Sequence, residues 1–184
     1  KSTVAPLHIA ADTTGRVLLL EPRRIAARAV ALRLAELLGE PLGRTVGLRT
    51  RDETTTSPGA RIEVVTEGVL LAMLHNDASL AGVDVVVFDE FHERSLDADL
   101  GLALALDCRQ HLRPDLAIVV MSATLDPAVV ADLLDGAPVI NAGASPFPVT
   151  VLWQPRPLPT AAERLAKVPH TVREALHAHA GDVL

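Results

Sequence analysis

Short, unbroken apolar runs alternate along this chain with longer stretches in which apolar residues recur every three or four positions. Residues 17–20 (VLLL), 61–65, 84–88 (DVVVF) and 116–121 have strand length and character, whereas 24–38, 68–74, 97–112, 126–134 and 161–180 follow helical spacing. Gly39 closes the first of these helices and Pro114 stops the third, while Asp126 followed by Pro127 marks the start of the fourth. Val4, Leu7 and Ile9 begin another helical pattern, and residues 138–141 read as a further strand. Continuous Val, Leu and Ile runs imply strands buried on both faces, and their alternation with helices implies right-handed crossovers. The pattern therefore predicts an α/β domain of three layers, a mainly parallel sheet between helices.

The interruptions set the boundaries. Residues 51–59 (RDETTTSPG) are polar with a Ser-Pro-Gly turn signal, so they are expected to form an exposed loop or hairpin tip, and no function is assigned to the acidic pair Asp52 and Glu53. Residues 147–154 read as one last extended segment. Pro155, Pro157 and Pro159 then bar regular structure, so residues 1–154 are expected to form one domain, 155–160 a linker and 161–184 the truncated start of another, with a strand beginning at 181–184.

Composition narrows the class. A chain with 49% hydrophobic and 22% charged residues is neither disordered nor fibrous. It has no apolar run of membrane-spanning length, and residues 1–10 lack the features of a secretory signal, so the expected compartment is the cytoplasm. The single cysteine, Cys108, falls in an apolar helical stretch and reads as a buried, inert thiol. Seventeen basic against 23 acidic residues give a net charge of −6, so any contact with nucleic acid must be local. Only two of the cations are lysines, a bias that suits phosphate recognition but that a GC-rich genome would also produce. The 2% of aromatic residues and the absence of tyrosine argue against a base-stacking platform of the RRM or OB type.

The candidate chemistry gathers at the ends of the strand-like runs. Asp89-Glu90-Phe91-His92 directly follows the apolar run at 85–88, and in a parallel α/β sheet that end faces the ligand crevice. One carboxylate there can hold magnesium while the other orients an attacking water; alternatively, Asp89 caps the next helix and Glu90 is solvated. Lys1-Ser2-Thr3 before a helix matches the tail of a phosphate-binding loop, although the glycine-rich half is missing from the sequence. Ser122-Ala123-Thr124 ends the next strand, with His92 as a natural partner. Arg23 and Arg24 open a helix where they oppose its dipole unless an anion compensates, and a phosphate backbone would be such an anion. Thr66-Glu67-Gly68 offers a hydroxyl and helix N-terminal amides that also suit a phosphate, or else a plain N-cap.

In order and approximate spacing these segments resemble motifs I, Ia, Ib, II and III of superfamily 2 helicases of the DEAH/DExH type. The stretch 18–106, with LLLEPRRIAARA, VGLRTRDE, VVTEGVLL and FDEFHERSLDADLGLALAL, is similar to the bacterial HrpB type of ATP-dependent helicase. The resemblance implies a RecA-like, P-loop NTPase lobe that uses ATP and Mg2+ and acts on single-stranded or structured nucleic acid, RNA favoured. It implies that Lys1 and Thr3 lie in the ATP phosphate site, that Ser2 and Asp89 hold magnesium and that Glu90 is the catalytic base. Arg33 would stack on adenine. Arg23, Arg24, Thr66 and Gly68 would meet the nucleic-acid backbone, and His92, Ser122 and Thr124 would couple nucleotide state to lobe movement. Phe91 departs from the Ala of DEAH, and Glu21 from the Gln common before Pro-Arg-Arg. Residues 170–184 resemble the entry to a second lobe, so the chain as it stands is expected to be a poor catalyst. Two other readings stay open, a P-loop remodelling ATPase that ignores nucleic acid and a non-catalytic nucleic-acid-binding lobe.

Overall fold

The computed structural model describes residues 2–124, 127–141, 150–153 and 156–179. The chain divides into two compact units, Lys1–Ile140 and Asn141–Leu184. In the first unit the order is α1 (Ala5–Asp12), β1 (Arg16–Glu21), α2 (Arg24–Leu37), β2 (Val46–Arg49), β3 (Thr54–Thr55), β4 (Ile62–Thr66), α3 (Glu67–Asn76), β5 (Val83–Phe88), a 3-10 turn (Phe91–Glu93), α4 (Leu96–His111), β6 (Ala117–Val120) and α5 (Pro127–Leu133). The sheet runs β3-β2-β4-β1-β5-β6. Every neighbouring pair is parallel except β2 with β3.

Alternation along the central strands supplies two cores. Leu18, Leu20, Val65, Val86 and Phe88 face α3 and α4, meeting Leu70, Leu74, Leu102, Ala105 and Cys108. Val17, Leu19, Val64, Val85 and Val87 face the opposite way and meet Ala27, Ala31, Leu34 and Ala35 of α2, with Leu7 and Ile9 of α1 packed alongside. The buried positions of α2 recur at helical spacing and are mostly alanine, so this helix lies close on the sheet and turns its arginines outward. Leu18 is wholly buried, and truncating such a side chain to Ala costs about 2–5 kcal/mol. Cys108 is buried, and desolvation is the main cause that pushes its thiol up from the ordinary value.

The expected three-layer fold is thus the observed one, with local differences. A strand at 46–49 adds β2, and residues 54–55 return as β3 to make the expected loop the tip of a hairpin. Residues 138–141 are not a strand: Pro138 has no amide to donate, Ile140 is 92% exposed, and β6 is the last strand of the sheet. In the second unit α6 (Ala161–Ala178) starts at a reciprocal cap between Thr160 and Glu163. Residues 150–153 carry no regular structure. Asp126, Pro155 and 181–184, all used in the sequence reading, lie outside the described residues, as do 147–149 and 154 of the residues expected to make the last extended segment.

Candidate nucleotide and nucleic-acid site

Backbone pairing aligns the strand ends. Glu21 stands opposite Thr66, Leu20 opposite Phe88, and Phe88 opposite Val120. Beyond the last paired residues the Asp89 amide donates to the Leu20 carbonyl at 3.0 Å and the Met121 amide to the Phe88 carbonyl at 2.8 Å. The segments that follow Glu21, Thr66, Asp89 and Met121 therefore leave the sheet along one edge, its carboxyl end, where open parallel sheets bind ligands. β2 delivers residues 50–53 to the same edge, because Arg49 pairs with Val65. The Arg61 guanidinium donates to the carbonyls of Ala10 and Thr13 at the opposite edge. The eight residues of α1 rise about 12 Å from there, which returns Ser2 and Thr3 toward the carboxyl end. Lys1 lies outside the described residues.

Two acids are buried at neighbouring strand ends. Asp89 Oδ1 accepts the Glu90 amide at 2.8 Å, while Asp89 Oδ2 and Glu21 Oε1 are buried with no hydrogen-bond partner. Burial first, and then the Asp89 charge, push the Glu21 carboxyl up to about 8, with Glu90 and Glu93 adding to the effect. A buried carboxylate oxygen without a donor, as Asp89 Oδ2 is, is costly, and a divalent cation brought by a nucleotide would satisfy it. Among the described residues no three His, Cys, Asp or Glu side chains gather into a protein-only metal cage. A magnesium held by one carboxylate, substrate phosphates and water fits such a donor set.

Glu90 is turned outward by its backbone. It adopts a left-handed conformation at φ 47° and ψ 34°, and Arg94 has φ 46°, each costing about 1–2 kcal/mol for a residue with a Cβ. The 3-10 turn between them is pinned by Phe91, which is buried edge-on against Phe88 at 6.1 Å. Its amide donates to the Met121 carbonyl at 3.1 Å, and the Arg94 guanidinium lies 5.5 Å from the ring centre. Phe91 thus anchors the turn in the core, which accounts physically for an aromatic residue at this position. Capping of α4 falls to Ser95, whose Oγ accepts the Ala98 amide at 2.9 Å, so Asp89 is free of that duty.

His92 bridges two strand ends. Its Nδ1 lies 3.3 Å from Glu90 Oε2, and the Ala123 amide donates to it at 3.4 Å. Nδ1 can serve the carboxylate only when it bears a proton and the amide only when it does not. The segment Ser122-Ala123-Thr124 thus meets motif II through its central amide.

The arginines at this edge are held by carboxylates. Arg23 forms a two-point contact with Glu93, Nε to Oε2 at 3.1 Å and Nη2 to Oε1 at 2.9 Å. Arg24 pairs with Asp52 and Arg28 with Glu53, both across from the β2–β3 turn. The expectation that this acidic pair has no function is therefore corrected: it neutralises the first turns of α2, where positive charge opposes the helix dipole. Thr66 is the N-cap residue of α3, yet its side chain makes no capping hydrogen bond, and a Cβ on Gly68 would meet nothing within 4 Å. Both leave room for a backbone to approach. Arg33 is not brought to the carboxylates: it sits about 13 Å further along α2 than Arg24, paired with Glu36 at 2.6 Å. Sequence reasoning missed Glu93, Asp52 and Glu53, and it noted Glu21 only as a departure, although an acid ending an apolar run is the same signal that singled out Asp89.

The layers and this carboxylate-bearing edge define a RecA-like nucleotide-binding domain. The chain belongs to the DEAD/DEAH box helicase family, whose model matches residues 1–133. It is 52% identical over 159 residues to the ATP-dependent RNA helicase HrpB of Escherichia coli, covering 85% of this chain and 20% of that protein. It is 35% identical over 171 residues to the ATP-dependent RNA helicase HrpA of Borreliella burgdorferi, covering 92% and 21%. A crystal structure of E. coli HrpB superposes with a TM-score of 0.86 at 48% identity, over 99% of this chain and 23% of that one. The chain spans about a fifth of the length of these relatives.

Proposed function

We propose that this chain is the first motor lobe of an ATP-dependent RNA helicase, in which ATP hydrolysis drives translocation on, or unwinding of, nucleic acid, with RNA favoured over DNA. The observation that carries this reading is Asp89, buried with an unpartnered oxygen at the carboxyl end of β5 beside a Glu90 that strained backbone turns outward. The relatives' names, ATP-dependent RNA helicases, support it.

In this reading Lys1, Ser2 and Thr3 hold the nucleotide phosphates, and Arg33 contacts adenine. Asp89 and Ser2 would ligate Mg2+, which when bound neutralises charge on the phosphate oxygens. Glu90 orients the attacking water and accepts its proton, and His92 steadies the Glu90 carboxylate from 3.3 Å. Ser122 and Thr124 flank the amide that reaches His92 and relay the nucleotide state. Arg23, Arg24, Thr66 and Gly68 grip the nucleic-acid backbone, where contacts position without reading sequence. Residues 1–154 are the first lobe, 155–160 the linker and 161–184 the start of the second. No described helix is long and apolar enough to cross a membrane, and the cytoplasm is the compartment we assign.

The test is ATP hydrolysis by the full-length protein with and without single-stranded RNA. Stimulation by RNA is expected, and Glu90→Gln should lower turnover by about 10²–10⁴-fold. Hydrolysis indifferent to RNA and DNA would replace this reading with a remodelling ATPase, and binding of RNA without any hydrolysis would replace it with a non-catalytic lobe.

A further inference from the structure

The three arginines at the start of α2 do not wait unpartnered for phosphate; each is already held by a carboxylate. One of these contacts differs from the other two. Glu93 closes the 3-10 turn that begins after Glu90, and its amide donates to the Glu90 carbonyl at 2.9 Å. That turn has little local freedom, because Phe91 is buried and left-handed residues stand on both sides of it. Arg23 in turn follows Glu21 by two residues, and Glu21 is the buried neighbour of Asp89. The Arg23–Glu93 fork therefore ties the helix that bears the arginines directly to the turn that bears the catalytic carboxylates.

We infer that Glu93 is a positioning residue that couples the two sites, holding Arg23 when no phosphate is bound and releasing it when a nucleic-acid phosphate takes its place. The inference rests on the function proposed above. A phosphate presents oxygens to the same guanidinium fork that Glu93 occupies, so the two compete for it. Once displaced, Glu93 is an uncompensated negative charge on the same rigid turn as Glu90, close to Glu21 and Asp89, and it strengthens the pull of that edge on a cation-bearing nucleotide. By linkage the effect runs both ways, so nucleotide at the carboxylates changes the availability of Arg23 by the same factor. Asp52 and Glu53 compete for Arg24 and Arg28 in the same way, but the β2–β3 turn carries no catalytic group, so they affect affinity without coupling.

The experiment measures the affinity of the full-length protein for a fluorescent single-stranded RNA by anisotropy, nucleotide-free and saturated with a non-hydrolysable ATP analogue plus Mg2+. The ratio of the two Kd values is the coupling factor, expected to be about 5-fold or more in the unaltered protein. Glu93→Gln should tighten nucleotide-free binding by about 2- to 5-fold and bring the coupling factor close to one. Asp52→Asn should tighten binding to a similar extent and leave the factor unchanged. A coupling factor in Glu93→Gln equal to that of the unaltered protein, or equal loss of coupling in Asp52→Asn, overturns the inference. If Arg23→Ala weakens RNA binding while Glu93→Gln keeps full coupling, only the link fails. If Arg23→Ala leaves RNA affinity untouched, the nucleic-acid assignment fails with it.

Discussion

The two edges of one sheet treat charge in opposite ways. At the amino-end edge Arg113 donates to the carbonyls of Ser79, Leu80 and Val83 at 3.0–3.3 Å and pairs with Asp115. Arg61 donates to the carbonyls of Ala10, Thr13 and Gly15. Asp84 accepts the amides of Thr14 and Gly15, packed so closely that a Cβ on Gly15 would stand 2.2 Å from its Oδ1. The charges of Arg61, Arg113 and Asp84 there are met by backbone groups, while Arg16 faces the buried Glu63 at 3.6 Å. At the carboxyl-end edge the buried oxygens Glu21 Oε1 and Asp89 Oδ2 have no hydrogen-bond partner, and the arginines meet only exchangeable carboxylates. Left-handed backbone does not separate the edges, since Leu80 at the amino end has φ 47° as Glu90 does at the other. A saturated charge fastens loops; an unsaturated one is kept for a ligand, and the fold bears its cost.

The comparison can be broken most severely at the saturated edge. Arg113→Ala leaves three carbonyls without their donor and should lower the unfolding free energy by about 2–3 kcal/mol in urea titrations, while RNA-stimulated ATP turnover of the folded protein is retained. A loss of activity without a loss of stability would reverse the roles of the two edges.

Glu21 sharpens the contrast through pH. Its carboxyl titrates near 8 in the folded chain against 4.5 ordinarily, so between those values the native state keeps a proton that the unfolded state has released. The Glu21 contribution to stability is therefore fully present below pH 4.5 and is lost as pH rises to about 8. Glu21→Gln cannot ionise, and its advantage over the unaltered protein should grow across that window and level off above it. Urea unfolding at several pH values checks this; a difference that does not vary with pH would remove the proposed burial effect. The smallest expected change comes from Glu90→Gly, which relieves the left-handed backbone and should raise stability by up to about 1 kcal/mol while abolishing hydrolysis.

What the sequence disclosed follows the strength of its local signals. The runs at 17–20, 61–65, 84–88 and 116–121 became β1, β4, β5 and β6 because continuous branched apolar residues have few other places to go. β2 escaped notice, since VGLR is short and interrupted by Gly47, a residue needed because a Cβ there would fall 2.3 Å from Thr56 Oγ1. The carboxylates were legible as acids ending an apolar run. Their backbone was not, because nothing local to Glu90 favours φ 47°; burial of Phe91 against Phe88 imposes it. The pairing of Arg24 with Asp52 and of Arg28 with Glu53 also depends on β2 lying beside β4, which no local pattern encodes.

The most direct test of the contrast between the edges is hydrogen exchange across the full-length protein, free and with a non-hydrolysable ATP analogue, Mg2+ and single-stranded RNA. Protection should rise at residues 21–24, 66–68, 89–94 and 121–124 and stay unchanged at 13–16, 79–84 and 113–116. Equal or larger changes at the amino-end edge would contradict it.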